Sequence, residues 1–184
     1  DKARLTKVTE KKNDTQIESP FYRASRVRDY YNELTLRFKG DYSVVFRVYN
    51  DGVAYRFVNH AKKPFCIVSE EVDYRFPNDA PATVPYVAVG EDGDYNTQFH
   101  NSFENVYATQ KISELNKQRL MFLPLVVQPT PDVKVCITET DLNNYPGLYL
   151  TNATGTHSLS GVQAPYPKTQ KQGGHNNLQM RVTE

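Results

Sequence analysis

The chain has 184 residues, of which 39% are hydrophobic, and its formal net charge is +1 at pH 7. This length fits one domain, and the balanced charge excludes a broad electrostatic surface for nucleic acid. No apolar run approaches the ~20 residues that a membrane-spanning helix needs, so we expect no membrane insertion. The 13 tyrosines favour strands, and the 11 prolines argue against long helices.

The clearest predicted structure lies at residues 32–58, after a polar segment, 1–20, that predicts an edge strand or a frayed end. Leu34, Leu36 and Phe38 alternate with polar residues, and the Asn-Asp-Gly sequence at 50–52 is typical of a hairpin turn. The pattern predicts a three-stranded antiparallel meander.

Shorter elements are predicted along the rest of the chain. Strands are expected at 65–69, 72–76, 84–89, 109–115, 120–127, 133–138, 148–151 and 178–184, a helical turn at 139–147, and a long loop at 152–177. Short strands at this spacing predict an all-β fold, an antiparallel β-sandwich, in a single domain over 1–184.

Catalytic sequence signatures are absent, and the acidic pairs offer little by themselves. The pairs Glu70/Glu71 and Glu139/Asp141 are close in sequence, but neighbouring side chains on a strand or turn point apart, so a solvated face is favoured over acid–base chemistry. The two cysteines, Cys66 and Cys136, lie in apolar runs that favour buried free thiols, with a disulfide as the alternative.

The acidic segment at 92–104 invites comparison with a calcium-binding EF-hand loop. Asp92, Asp94 and Asn96 match the first alternating oxygen ligands, but threonine occupies the position that needs glycine. The twelfth position is Phe103, and Glu104 comes one residue late. We therefore reject an EF-hand and retain a weaker hypothesis, in which this loop gives one or two oxygens to a calcium ion. A solvated Glu104 is the alternative.

Tyrosines and glycosylation sequons are two further features of the sequence. Tyrosines that could stack on sugar rings, with core or edge packing as the alternative, are Tyr30, Tyr31, Tyr86, Tyr95 and Tyr166. Glycosylation sequons begin at Asn13 and Asn152, a motif that is common by chance.

Four segments together resemble the N-terminal domain of glycoside hydrolase family 97, the α-glucosidases and α-galactosidases typical of Bacteroides-type bacteria. They are YYNELTLRF, FRVYNDGVAYRF, DYNTQFHNSFENVY and TETDLNNYPGLYL, within residues 22–150. The resemblance implies a sandwich that is part of a mutarotase-like β-super-sandwich. It also implies a partner, the catalytic (β/α)8 barrel of the same parent chain, and an oligosaccharide substrate.

The resemblance further implies that this domain lends one glutamate to an active-site Ca²⁺. Glu104 is the most similar residue, with Tyr107 following it at the family's spacing. Because the family's domain begins upstream of Asp1 and the barrel is absent, the chain is expected to be a truncated fragment that is inactive alone. In such a fragment we expect Glu104 to be metal-free and exposed.

Several expectations stay open at this point. A glucoside or a galactoside substrate, and an inverting or a retaining mechanism, fit the sequence equally. The resemblance implies a periplasmic or secreted parent protein, and an exposed strand edge is expected to pair with another copy or to be covered locally. The alternative function is a stand-alone carbohydrate-binding, lectin-like sandwich without catalysis, and a third hypothesis is a structural domain without a ligand.

Overall fold

The computed structural model describes residues 3–64, 67–88, 94–99, 105–143 and 145–164. The chain divides into two units, Asp1–Cys66 and Ile67–Glu184. The sheets in both units are antiparallel, which confirms the predicted all-β fold class. No helix among the described residues is long and apolar enough to cross a membrane. This division does not decide whether the two units form the single domain predicted over 1–184, which stays a prediction.

The first unit is one four-stranded sheet in the order β1-β2-β3-β4. Its strands are β1 (Leu5–Glu18), β2 (Arg26–Phe38), β3 (Tyr42–Val48) and β4 (Val53–Asn59). The predicted meander is confirmed as β2 to β4, and the polar start of the chain forms the edge strand β1. The β2–β3 turn places Gly40 at φ 107° and Asp41 at φ 60°, where glycine and aspartate are tolerated.

One face of this sheet is apolar. The strand register places Leu36 beside Val44 and Val44 beside Phe57, because side chains of paired residues share a face. Phe57 is nevertheless 61% exposed and Val53 is 69% exposed. Among the described residues, both clusters of buried hydrophobic side chains belong to the second unit.

The second unit contains a three-stranded sheet, β10-β11-β5, and a four-stranded sheet, β7-β6-β8-β9. Its elements are β5 (Asp73–Arg75), β6 (Pro81–Val84), α1 (Tyr95–Gln98), β7 (Ala108–Lys111), a 3-10 helix (Ile112–Glu114), β8 (Leu125–Thr130), β9 (Val133–Ile137), β10 (Leu148–Thr151) and β11 (Ser158–Gln163). Val84 and Leu125 of one sheet and Leu150 and Leu159 of the other share a buried cluster. Met121 bridges the sheets by pairing with both Tyr86 and Leu150.

Several predicted elements shift in the structure. The strand predicted at 84–89 overlaps β6 only at Val84, where β6 ends before Pro85, a residue that has no N–H for the ladder. The strand predicted at 109–115 ends at Lys111, and the 3-10 helix follows from Ile112. Asp79 holds this helix by accepting hydrogen bonds from the N–H and the hydroxyl of Ser113, at 2.9 and 2.7 Å. The strand predicted at 120–127 begins at Leu125.

Other predictions fail or fall outside the described residues. The helical turn expected at 139–147 does not form in its described residues, and residues 67–69 are not a strand. The prediction for 178–184 lies outside the described residues. Strand β11 was missed, because its serine- and glycine-containing sequence resembles the loop predicted at 152–177.

The cysteine prediction is confirmed for Cys136 in that its thiol is free, but wrong about its burial, because Cys136 is exposed. Among the described residues, strand β9 pairs with β8 alone and its outer edge is uncovered, so apolar alternation did not imply burial there. Cys66 lies outside the described residues.

Candidate functional site

The predicted metal ligand, Glu104, lies outside the described residues, but both ends of its segment are anchored on the second unit. On one side Phe99 is buried and meets the Tyr149 ring edge-on, with centroids 5.3 Å apart. On the other side the amide of Asn105 donates to the Tyr86 carbonyl at 3.3 Å, and the Tyr107 hydroxyl donates to the Pro124 carbonyl at 3.3 Å.

The short helix α1 explains how the first anchor is held. Asp94 caps the helix by accepting from the Asn96 N–H at 2.9 Å, so these two residues of the predicted calcium loop bond to each other. Gln98 is fully buried, donates to the Gln118 carbonyl and accepts from the Leu120 N–H, both at 2.7 Å. These bonds fix α1 against the chain that leads to β8.

A pair of carboxylates, Glu70 and Glu139, lies on the same unit. Glu139 is half-buried beyond β9 and accepts from the Leu148 N–H at 2.8 Å. A Cβ at Gly147 would lie 3.3 Å from the Glu139 carboxylate, so the glycine allows the backbone to approach closely. The Tyr145 hydroxyl donates to Glu70. The turn at 145–148 therefore bonds to both carboxylates, through Tyr145 and through Leu148.

The electrostatics of Glu139 differ from those of an exposed acid. Burial raises the pKa of the Glu139 carboxyl, the Leu148 N–H lowers it in part, and the nearby Glu70 charge raises it again. A buried carboxyl beside another carboxyl resists ionisation, because each charge disfavours the other in a medium that solvates both poorly. Such groups are concentrated at functional sites, although structural clusters show them as well.

Tyr149 links this pair to the anchored segment. Burial raises the pKa of Tyr149, and the Glu139 charge raises it further, so the two side chains interact. The Tyr149 ring also contacts Phe99 and Phe122, the latter at 5.2 Å between centroids. Tyr149 therefore contacts Phe99, at one end of the segment that carries Glu104, and lies within the electrostatic reach of Glu139. We call Glu70, Glu139, Tyr145 and Tyr149 the carboxylate–tyrosine cluster.

Sequence reasoning missed this cluster because it compared only acids that are close in sequence. The structure instead places Glu70 near enough to Glu139 for its charge to raise the pKa of the Glu139 carboxyl. The sequence feature that could have indicated the cluster is the Tyr-Pro-Gly turn at 145–147. This turn brings the chain back toward Glu139, so that the Leu148 N–H donates to its carboxylate.

The cluster carries the type of ligand atom that calcium prefers. Calcium binds roughly 6–8 oxygen ligands and prefers carboxylates and carbonyls. Glu70 and Glu139 would supply carboxylate oxygens, and a cation would offset the mutual repulsion that raises the pKa of Glu139. In the part of the chain that the structure describes, no three His, Cys, Asp or Glu side chains group closely enough to hold a metal. Most of a shell would come from other groups.

The tyrosines considered as sugar platforms are largely engaged in packing. Tyr31 and Tyr86 are buried, and Tyr86 accepts from the Asn116 N–H at 2.9 Å. Tyr30 lies under the Arg28 guanidinium at 4.6 Å, and the Tyr95 hydroxyl bonds to that of Thr151 at 3.0 Å. Tyr166 lies outside the described residues.

The sequon at Asn152 does not present an accessible side chain. Asn152 is only 1% exposed and its amide donates to the Ile112 carbonyl. A glycan on this nitrogen would break that bond and require burial of the sugar.

Comparison with known proteins identifies relatives of the whole chain. The family described as "Glycosyl-hydrolase 97 N-terminal" matches residues 1–182. A curated protein from Bacteroides thetaiotaomicron, named "Retaining alpha-galactosidase", is 62% identical over 182 residues, which are 99% of this chain and 28% of that protein. This chain therefore spans little more than a quarter of that relative's length.

Solved structures show the same fold. A glycoside hydrolase family 97 enzyme from Pseudoalteromonas sp. strain K8, in complex with acarbose, aligns with a TM-score of 0.66 and 22% identity, covering 89% of this chain and 24% of that chain. A beta-arabinopyranosidase aligns with a TM-score of 0.63 and 18% identity, covering 87% of this chain and 27% of that chain.

Proposed function

The chain belongs to the glycosyl-hydrolase 97 N-terminal family, and from this premise we propose that it is the accessory N-terminal domain of an α-glycosidase. The parent protein would hydrolyse α-galactosides or α-glucosides, and the curated α-galactosidase relative favours galactosides. In this proposal the partner is a catalytic (β/α)8 barrel in the same parent chain, and the substrate is an oligosaccharide. The proposal includes a periplasmic or secreted location for the parent protein.

We also propose that this domain contributes a carboxylate to an active-site calcium ion. The sequence resemblance indicates Glu104 as the calcium ligand, and the carboxylate–tyrosine cluster indicates Glu139. The observation that carries this proposal is the half-buried Glu139 carboxylate, whose pKa is raised by burial and by Glu70. A divalent cation would favour the ionised form of Glu139 and offset the repulsion between the two carboxylates.

The roles of this chain's residues would be binding and orientation. A bound calcium ion supplies charge stabilisation and orients oxygen atoms. The Leu148 N–H and the close backbone at Gly147 hold one Glu139 oxygen in place. Tyr145 holds Glu70 by a hydrogen bond from its hydroxyl. The catalytic acid and its partner carboxylate would belong to the proposed barrel.

The test uses the full-length protein with single substitutions Glu104→Gln, Glu139→Gln and Glu71→Gln. Calcium affinity is measured by calorimetry, and melibiose hydrolysis is followed during a calcium titration. Loss of one charged ligand is expected to weaken calcium binding by about tenfold or more, since hydrogen bonds and contacts to charged groups contribute roughly 1.5–3 kcal/mol.

The variants separate the two nominated ligands. Weakened binding in Glu139→Gln alone would assign the ligand to the cluster, and weakened binding in Glu104→Gln alone would assign it to the segment at 100–104. Glu71 is exposed and serves as the control, because its substitution changes the net charge by the same amount. Unchanged calcium affinity in both Glu104→Gln and Glu139→Gln would refute the calcium role.

The exposed edge strands β1 and β4 support a separate proposal of self-association. Sedimentation of the isolated chain over a range of concentrations tests it. A monomer at every concentration would argue against it.

A further inference from the structure

A groove on the second unit runs along β5 and β11 and encloses about 750 Å³. The antiparallel register places Arg75 opposite Ser158 and Asp73 opposite Ser160. Because successive side chains of a strand alternate between faces, these four share the groove face, whereas the intervening Leu159 is buried in the core. We call this feature the β5–β11 groove.

A row of hydroxyl groups lines the groove. The hydroxyl oxygens of Thr154 and Thr156 lie 2.8 Å apart, and those of Thr156 and Ser158 are also 2.8 Å apart. The next alternate residue, Ser160, donates to Asp73 at 3.5 Å, the upper limit for such a bond. Each hydroxyl can donate one hydrogen bond and accept others, so the row can match a ligand that does the same.

An ion pair lies beside this row. Arg75 Nε donates to Asp73 Oδ2 at 2.6 Å, and the Arg75 side chain is 83% exposed, which leaves its other N–H groups facing solvent. The pair combines several donors with a strong acceptor and has no net charge. It therefore suits the adjacent hydroxyls of a neutral sugar better than it suits an anion or a cation.

An aromatic ring borders the polar groups. Phe76 lines the groove, is half-buried and packs against the hydrophobic core on its other side. Its position is fixed by a hydrogen bond from its N–H to the His157 carbonyl at 2.9 Å. An apolar residue at the border of hydroxyl and charged groups complements the two surfaces of a pyranose, its C–H face and its hydroxyl edge.

We propose that the β5–β11 groove binds a neutral sugar unit of an oligosaccharide. Asp73 and Arg75 would bond to adjacent sugar hydroxyls, the serine and threonine row would bond to the remaining ones, and Phe76 would contact the ring. The choice of ligand class rests on the proposed glycosidase function. The groove shares no residue with the carboxylate–tyrosine cluster, so the two sites can be tested separately.

The experiment measures raffinose and maltotriose binding to the full-length protein by calorimetry. The double variant Asp73→Ala, Ser160→Ala is compared with Asp132→Ala, Thr130→Ala, a matched pair of exposed residues elsewhere on the same unit. Wild-type protein is expected to show a class of sites that the groove variant binds at least about tenfold more weakly and the control variant retains. Hydrolysis of p-nitrophenyl α-galactoside, which carries one sugar, should be unchanged in the groove variant.

Two results would overturn the groove proposal. One is identical saccharide binding by the wild type and the groove variant. The other is a lower thermal midpoint in the groove variant with saccharide binding unchanged, which would make the groove a packing surface. If the wild type binds saccharide through the groove but hydrolyses no α-glycoside, the proposed glycosidase function fails and the groove proposal stands.

Discussion

Gly161 is the position in β11 where the packing of the second unit leaves least room for a side chain. A Cβ there would lie 2.8 Å from Val72 Cβ and 2.9 Å from Leu148 Cδ1, closer than real side chains approach. The Gly161 N–H also donates to the Val72 carbonyl at 2.8 Å, which prevents the strand from moving away.

We therefore expect Gly161→Ala to lower the free energy of unfolding by about 1–3 kcal/mol, the usual cost of overpacking. Chemical denaturation monitored by tyrosine fluorescence measures it. Gly52→Ala is the control, since a Cβ at Gly52 has no atom within 4 Å. Equal stability of the two variants would show that β11 can shift to accept a methyl group.

The second prediction at single residues concerns Glu139 and pH. Its folded-state pKa lies above the ordinary value of 4.5 because of burial first and Glu70 second. Between the unfolded and folded pKa values the folded chain binds more protons, so the free energy of unfolding falls as pH rises through that window. Above it the ionised Glu139 destabilises the fold.

Glu139→Gln should therefore raise the free energy of unfolding at pH 7. It should also reduce the fall in the free energy of unfolding as pH rises above 4.5. The glutamine oxygen can still accept from Leu148, so the substitution mainly removes charge. The measurement is denaturation across pH in the presence of a calcium chelator, with Glu71→Gln as the control. Identical pH profiles for both variants would contradict the raised pKa.

The properties of Gly161, Glu139 and Cys136 could not be predicted from the sequence, because each depends on residues that are distant along the chain. Gly161 lies in a segment that looked like a loop, and its need for glycine depends on Val72 and Leu148, which other elements supply. The raised pKa of Glu139 comes first from burial and then from the charge of Glu70, which is remote in sequence. Alternation predicted burial of Cys136, but exposure depends on whether a neighbouring strand covers it.

The short helix α1 depends on one buried side chain for its attachment. Gln98 donates to the Gln118 carbonyl and accepts from the Leu120 N–H, and it is fully buried. Four helical residues cannot hold themselves in place, because isolated helices of this length do not form in water.

Gln98→Ala should lower the free energy of unfolding by about 1–3 kcal/mol, because it leaves the buried N–H of Leu120 without this partner. Amide hydrogen exchange at Leu120 should accelerate more than exchange at Met121, whose N–H donates to the Leu150 carbonyl at 2.8 Å. Asn96→Ala, an exposed substitution in the same helix, is the control. Unchanged exchange at Leu120 would contradict the attachment.

Elements with strong local signals were predicted well. The β2–β4 meander has alternating apolar residues and an Asn-Asp-Gly turn, and both are properties of adjacent residues. Strand β10 formed at the predicted residues 148–151. Strand β11 was missed because it is stabilised by pairing with β10 and β5 rather than by its own residue preferences.

Buried hydrophobic packing is distributed unevenly over the chain. Both buried clusters among the described residues lie in the second unit, whereas the sheet of the first unit leaves Val53, Tyr55 and Phe57 exposed. Regions with few buried apolar contacts open more readily, so their amides exchange faster.

We expect the Leu150 amide to be protected at least about tenfold more than the Tyr49 amide, which corresponds to about 1.4 kcal/mol in opening free energy. The comparison is matched, since Leu150 donates to the Met121 carbonyl at 3.0 Å and Tyr49 to the Gly52 carbonyl at 2.8 Å. Hydrogen exchange on the whole chain measures both. Equal protection would contradict the expectation that the first unit opens more readily than the second.

The sequence by itself determined the fold class, the central meander and the family, because these depend on alternation, turn residues and motifs that are readable along the chain. It also directed attention to Glu104, whose role stays a prediction. Only the tertiary structure decided that the charge of Glu70 acts on Glu139, that the Tyr149 ring contacts Phe99, and that Asp73 and Arg75 face a row of hydroxyls. These contacts arise from strand pairing and packing between distant segments, and local sequence patterns carry no information about such pairing.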